Sequence, residues 1–227
     1  MKLISVSKSY GDNVVFDKFC LEAEEKKILA VLGSSGCGKT TLLNIISGLT
    51  DFQGAVEKSG NKISYIFQNK RLLPNLTVYK NIEFVLKNVY SKEKIPCIID
   101  EILRKVELYE NRDLYPSELS GGMGQRVSLA RAFAYPSDIL LMDEPFKALD
   151  ISLKKRIIET FNSLYRTDRR TTVFVTHDIE EAFAVADRII VLQKGGNILA
   201  DETLSVPAEE RGYADFSETK KRIYDVL

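Results

Sequence analysis

Gly33-Ser34-Ser35-Gly36-Cys37-Gly38-Lys39-Thr40 fits the pattern G-x-x-x-x-G-K-[ST], and its flanks matter as much as its letters. Ile28 to Leu32 is an unbroken apolar run of buried-strand length. After Thr40 the residues Leu42, Leu43, Ile45, Ile46 and Leu49 recur at helical spacing, so the order is strand, glycine loop, helix. That order suits a phosphate. Glycines let backbone N–H groups turn inward around an oxyanion, and the following helix aims its positive end at it. Lys39 would neutralise β- and γ-phosphate charge, and the Thr40 hydroxyl would reach Mg²⁺. A glycine-rich turn that binds nothing is the alternative; the presence of both flanks disfavours it. The stretch therefore implies a bound nucleoside triphosphate and leaves its use open.

Composition narrows the classes. At 227 residues the chain has length for one large domain or two closely packed ones. Its 44% hydrophobic and 28% charged content is that of an ordinary globular protein. Lys and Arg balance Asp and Glu at 32 each, so no overall field favours nucleic acid or an anionic membrane. No apolar run approaches the roughly 18–20 residues that span a bilayer. Residues Met1 to Asp12 lack the apolar centre of a signal peptide, so a cytoplasmic chain is expected unless another component carries it to a membrane. Cys20, Cys37 and Cys97 form no C-x-x-C pair, which argues against a disulfide framework or zinc site.

Along the chain, Leu3, Ile4 and Val6 open a strand that breaks at Ser9 to Asn13. Val14 to Phe16 and Phe19 to Ala23 read as two further strands. Tyr10, an aromatic in that polar turn, either stacks on a base or simply packs. Ile63 to Phe67 is another strand, ending at Gln68. From Asn69 to Tyr135 helical spacing takes over, with Ile95, Ile98, Ile99, Ile102, Leu103 and Val106 on one helix face. The run Leu119-Ser120-Gly121-Gly122-Met123-Gly124-Gln125-Arg126 is a second glycine-rich entry to a helix, with Ser120 as N-cap. The residues alone leave open whether it is a second anion site or only a cap.

Asp138-Ile139-Leu140-Leu141-Met142-Asp143-Glu144-Pro145 reads as a buried strand with two carboxylates at its C-terminal end, where open α/β sheets place ligands. Asp143 would reach Mg²⁺ through the metal's water shell, and Glu144 would orient or deprotonate a water. Ile157, Ile158, Phe161, Leu164 and Tyr165 give the helix after Asp150 an apolar face. His177, the chain's single histidine, ends a strand running from Thr171 to Thr176. Gln68, Asp143 and His177 all end strands and are expected at one crevice.

Taken together, the chain resembles an ATP-binding-cassette (ABC) ATPase from the Tyr10 turn to about Val206. Leu119-Ser120-Gly121-Gly122 resembles that family's signature motif, Asp143-Glu144-Pro145 its Walker B strand with catalytic glutamate, and Ala148-Leu149-Asp150 its D-loop. Gln68 resembles its Q-loop and His177 its switch histidine. The resemblance implies an α/β P-loop NTPase (RecA-like) core with an N-terminal antiparallel β region and an inserted α-helical subdomain. It divides the chain into a core of residues 1–68 and 136–205, a helical subdomain of 69–135 and a tail of 206–227.

It implies roles as well. Tyr10 stacks on adenine; Gly33, Ser34, Ser35, Gly36, Cys37, Gly38, Lys39, Thr40 and Thr41 hold the phosphates of ATP. Thr40, Gln68 and Asp143 surround Mg²⁺. Glu144 polarises the attacking water, and His177, Gln68 and Lys39 complete the catalytic set. Ser120 and Gly122 reach the γ-phosphate held by a second copy, making an ATP-dependent homodimer. The run Tyr65-Ile66-Phe67-Gln68-Asn69-Lys70-Arg71-Leu72-Leu73-Pro74-Asn75-Leu76-Thr77-Val78 is similar to the nitrate/sulfonate/taurine type of importer. In those systems this region receives a transmembrane permease, which makes Arg71, Leu72, Leu73 and Leu76 the expected contacts. A solute-binding protein is an indirect partner, and the implied location is the cytoplasmic face of the membrane.

Three residues depart from the resemblance. Asn75 stands where that importer type has tryptophan. Gly124 replaces a long polar residue, at a cost of about 0.5–1 kcal/mol to its helix. Lys147 brings a cation before Ala148. Cys37 is expected to be inert packing rather than a reactive thiol. Rival readings are an ATPase of another importer class (thiamine-precursor, metal or polyamine), a soluble cassette without a transporter, and a nucleotide-binding regulator without turnover. Lys39, Glu144 and His177 argue against the last. The transported substrate is not written in this chain.

Overall fold

The computed structural model describes residues 1–147, 149–205 and 217–227. Ala148 of the expected D-loop and residues 206–216 of the expected tail lie outside the described residues. The chain opens with β1 (Lys2–Tyr10), β2 (Asn13–Glu22), β3 (Ile28–Leu32), α1 (Lys39–Ser47), β4 (Gln53–Glu57) and β5 (Ile63–Ile66). Helices α2 (Val78–Leu86), α3 (Ile95–Lys105) and α4 (Gly121–Ala134) follow. Then come β6 (Ile139–Asp143), α5 (Ile151–Thr167), β7 (Thr171–Val175), α6 (Ile179–Val185), β8 (Arg188–Leu192), β9 (Ile198–Thr203) and α7 (Ser217–Tyr224).

These elements form two compact units. One comprises Met1–Ile63, Asp138–Glu144 and Arg169–Leu227; the other comprises Ser64–Ser137 and Pro145–Asp168, so α5 groups with the inserted helices.

In the first unit β6, β7, β3 and β8 lie side by side in parallel, with β9 antiparallel at the β8 edge. Strands β3, β6 and β7 are buried along their whole length, as expected for parallel strands covered on both faces. The register sets Val31 and Asp143 both against Val175. The glycine loop, the two carboxylates and the His177 turn therefore leave the sheet at neighbouring strand ends. A second sheet, in the order β2-β1-β4, is antiparallel. It differs from the sequence reading three times. Ser9 and Tyr10 are not in the turn but end β1, paired with Val14 and Asn13. Val14 to Phe16 and Phe19 to Ala23 are not separate strands but belong to β2 and the residue after it, kinked by bulges at which Lys18 takes φ 48°. Gln53–Glu57 adds a strand with no alternating apolar signal, because it is mostly exposed and held to β1 by backbone pairing.

In the second unit α4 is the central helix: Val127, Leu129, Ala130, Ala132 and Phe133 are all buried, and α2, α3 and α5 pack around it. Phe161 of α5 meets Phe133 edge-on at 6.0 Å and Phe146 at 6.4 Å. Pro96 sits in the first turn of α3, where a missing N–H costs nothing. On α3 the buried face is Ile95, Ile99, Ile102 and Leu103, as the periodicity predicts, while Ile98 is only partly buried.

Candidate nucleotide site

The glycine loop turns directly from buried β3 into α1. Gly38, the N-cap of α1, adopts φ 108° and ψ 7°. A Cβ there would approach Val15 Cγ1 to 2.7 Å, so only glycine lets the loop lie on β2. Lys39 is 7% exposed, and its ammonium donates to the Gly33 carbonyl at 2.7 Å and the Ser34 carbonyl at 2.9 Å. These bonds hold the charge inside the loop's concavity, under the N-terminus of α1. Cys37 is buried with its Sγ 3.9 Å from Lys39 Nζ, consistent with packing.

The Thr40 hydroxyl donates to Asp143 Oδ1 at 3.3 Å, bringing together two hard oxygen donors from positions 103 residues apart. Such a pair fits Mg²⁺, which binds few protein oxygens and completes its shell with water and phosphate. Among the described residues no cluster of three or more His, Cys, Asp or Glu forms a self-contained metal cage. Glu144 follows at φ 44°, a left-handed conformation unusual for a residue with a side chain. Its amide donates to the Val175 carbonyl at 2.9 Å. That turn swings the carboxylate to His177, whose Nδ1 lies 3.2 Å from Oε1.

The His177 turn is itself braced by residues that the sequence reading passed over. The Thr176 hydroxyl donates to the buried Glu181 carboxylate at 2.6 Å and accepts from the Asp178 amide at 3.1 Å. Asp178 caps α6 by accepting from the Glu180 and Glu181 amides. The signal for this network was the acidic start of α6. Tyr10 is half exposed at the end of β1, with Lys8 Nζ 4.8 Å from its ring centroid.

Thus Lys39, Thr40, Asp143, Glu144 and His177 belong to one unit, while Gln68, Ser120 and Gly122 belong to the other. There Ser120 caps α4, its Oγ accepting from the Met123 amide at 3.2 Å. Gly122 is buried, and a Cβ at that position would run into the Leu153 side chain. The run from Arg71 to Leu76 is shaped by fully buried Asn81. Its carbonyl accepts from the Leu73 amide at 2.8 Å, and its amide group faces the Leu73, Leu76 and Thr77 carbonyls at 3.1, 2.9 and 3.0 Å. Arg71, at φ 44°, lays its guanidinium 3.8 Å from the Phe67 ring centroid. No helix among the described residues is long and apolar enough to cross a membrane.

Comparison with known proteins gives concordant results. Residues 16–147 match the family described as ABC transporter. The Fe(3+) ions import ATP-binding protein FbpC of Fusobacterium nucleatum subsp. nucleatum is 39% identical over 207 residues, covering 86% of this chain and 56% of that protein. The sulfate/thiosulfate import ATP-binding protein CysA of Synechococcus elongatus is 40% identical over 221 residues, covering 92% and 63%. The chain therefore spans a little over half the length of these relatives. The dimeric structure of a post-hydrolysis state of the ATP-binding cassette MJ0796 bound to ADP and Pi superposes with a TM-score of 0.79 at 33% identity. That match covers 93% of this chain and 99% of the other.

Proposed function

The chain belongs to the ABC transporter family, and from that premise we propose that it is the ATP-hydrolysing subunit of a multi-component importer, acting as a homodimer at the cytoplasmic face of a membrane. The observation that carries this reading is the convergence of Lys39, Thr40, Asp143, Glu144 and His177 at neighbouring ends of parallel strands. Lys39 and the loop amides take the β- and γ-phosphates of ATP, exchanging the Gly33 and Ser34 carbonyls for stronger charge-assisted bonds. Thr40 and Asp143 would hold Mg²⁺, joined by Gln68; the metal would neutralise charge developing on the phosphates. Glu144 accepts a proton from the attacking water, and His177 holds its carboxylate in place. Tyr10 receives the adenine ring, and Ser34, Ser35, Gly36, Cys37 and Thr41 complete the cradle.

Ser120 and Gly122 would bind the γ-phosphate held by a second copy. The Gly121 and Gly122 amides at the start of α4, ahead of the Met123 amide that Ser120 caps, would make that an anion site, so closure of the dimer would depend on the γ-phosphate and reopening would follow its loss. The permease would dock on Arg71, Leu72, Leu73 and Leu76, on a loop that Asn81 keeps in one shape; a solute-binding protein would act through that permease. The Arg71-Leu72-Leu73-Pro74 run supports the nitrate/sulfonate/taurine type, and Asn75 counts against it. Relatives named for iron and for sulfate import, at 39% and 40% identity, fit other importer classes equally.

The test is Glu144→Gln. The variant should bind ATP, hydrolyse it at least about 100-fold more slowly and elute as a dimer in sizing chromatography with Mg-ATP. Wild-type turnover in the variant would refute the assignment of Glu144. Failure to dimerise would refute the two-copy site.

A further inference from the structure

Four positions of α4, Gly121, Gly124, Ser128 and Arg131, are spaced three or four residues apart and so share one helix face. All four meet the segment just after Gln68. The Arg131 guanidinium donates to the Arg71 carbonyl at 2.9 Å and the Lys70 carbonyl at 3.1 Å. The Ser128 hydroxyl lies 3.2 Å from the same Lys70 carbonyl and 3.3 Å from the Gly124 carbonyl of its own helix. A Cβ on Gly124 would come within 3.0 Å of Lys70 Cδ, and one on Gly121 within 4.0 Å of Lys70 Nζ. The glycine that departs from the family pattern, and that weakens a helix, is therefore where the Lys70 side chain lies flat.

Among the described residues Arg131 pairs with no carboxylate, and burial pulls its guanidinium below the usual arginine value. A cation kept in that position, bonded only to carbonyls, costs solvation that surface pairing would avoid. Arginine's planar fork matches two successive carbonyls; a lysine ammonium cannot span both in the same way.

We infer that this face of α4 is a seat that makes the Lys70–Arg71 segment part of the signature helix, with Arg131 as the positioning residue that locks it. Gln68 is then two residues from a fixed point, and any force on the loop beyond Arg71 is delivered to the helix whose N-cap is Ser120. The inference rests on the proposed roles of Gln68 and Ser120.

The test compares Arg131→Lys and Ser128→Ala with their parent by hydrogen exchange and by steady-state kinetics. Without nucleotide, amides 69–73 should exchange about 10-fold faster in Arg131→Lys, while the first turn of α4 exchanges as in the parent. The kcat for ATP should fall about 10-fold with KM within about twofold. Ser128→Ala removes one bond without burying an unpaired charge and should move the same amides in the same direction, less far. It carries the test alone if Arg131→Lys does not fold. Unchanged exchange at 69–73 would overturn the inference, as would a fall in melting temperature with kcat and KM shifting together. Glu144→Gln failing to dimerise while 69–73 loosens would instead sink the two-copy reading and leave the seat intact.

Discussion

His177 Nδ1 and Glu144 Oε1 lie 3.2 Å apart, with the glutamate side chain 14% exposed and the histidine 56% exposed. With Glu144 ionised its carboxylate can only accept, so Nδ1 is then the donor of the pair and the imidazole holds the carboxylate from the solvent side. The His177 turn is pinned in turn by Thr176 and Glu181. His177→Ala should therefore lower kcat by about 100-fold or more, with KM for ATP changed only a few-fold. Because the side chain is mostly exposed, the melting temperature should move little. A phosphate-release assay with a thermal melt on the same sample checks both; retained turnover would remove His177 from the catalytic set.

Glu144 holds φ 44°, a conformation that costs a residue with a Cβ about 1–2 kcal/mol relative to glycine. Glu144→Ala and Glu144→Gly both delete the carboxylate and should both lose turnover. Their stabilities should rank against the usual order. Glycine's looser unfolded chain offsets only about 0.4–1 kcal/mol, so the glycine variant should melt about 1–4 °C above the alanine variant. The reverse order would mean that the strain is relieved elsewhere in the turn.

These two residues also mark the limit of what sequence can disclose here. The glycine loop, the buried strands and the paired acids were legible because each leaves a side-chain pattern: an apolar run, a helical period, a charge at a strand end. The conformation of Glu144 leaves none, since φ is set by the Val175 carbonyl that its amide reaches. Strand β4 escaped for a similar reason: Gln53, Gly54 and Ala55 are exposed, and what holds them is backbone pairing with β1. Arg131 was unreadable because its partners are carbonyls of residues 60 and 61 positions away. Asn81, alone among the polar residues of α2, is wholly buried, a fact that only the folded loop supplies.

Asn81→Ala would strip the Leu73 amide and three carbonyls of their buried partner. Leaving such groups unsatisfied costs about 1–3 kcal/mol each at most, and water entering the loop offsets part of that. The melting temperature should fall by about 4–8 °C, and the amides of residues 72–77 should lose protection first. Global loss without local loosening would mean that the asparagine serves the α2 core rather than the loop.

Ser120 has two separable roles, because its hydroxyl caps α4 and the proposed dimer needs an anion to approach the same helix end. Ser120→Asp keeps the cap, since aspartate caps as well as serine, and places a negative charge where the γ-phosphate of the other copy would sit. Monomer melting and ATP binding should be unchanged, while turnover falls about 100-fold or more and the Glu144→Gln dimer no longer forms. An intact dimer in the double variant would mean that the signature loop does not face the phosphate.

The start of α5 gives a pH-dependent prediction. Asp150 accepts from the Ser152 hydroxyl at 2.7 Å and from the Leu153 amide at 2.9 Å. These bonds, the Ser152 hydroxyl first, hold its carboxyl below the ordinary aspartate value of 3.8. The folded value lies below the unfolded one, so the carboxylate's contribution is complete above 3.8 and is lost as pH falls through the lower folded value. Asp150→Asn retains an oxygen that can cap but has no charge to lose. At about pH 7 the wild type should be the more stable, since a carboxylate also favours the positive end of the helix; by about pH 3 the gap should have narrowed. Thermal melts of the two proteins across that range measure it. A gap that stays constant, or widens in acid, would show that the charge on Asp150 contributes nothing to holding α5.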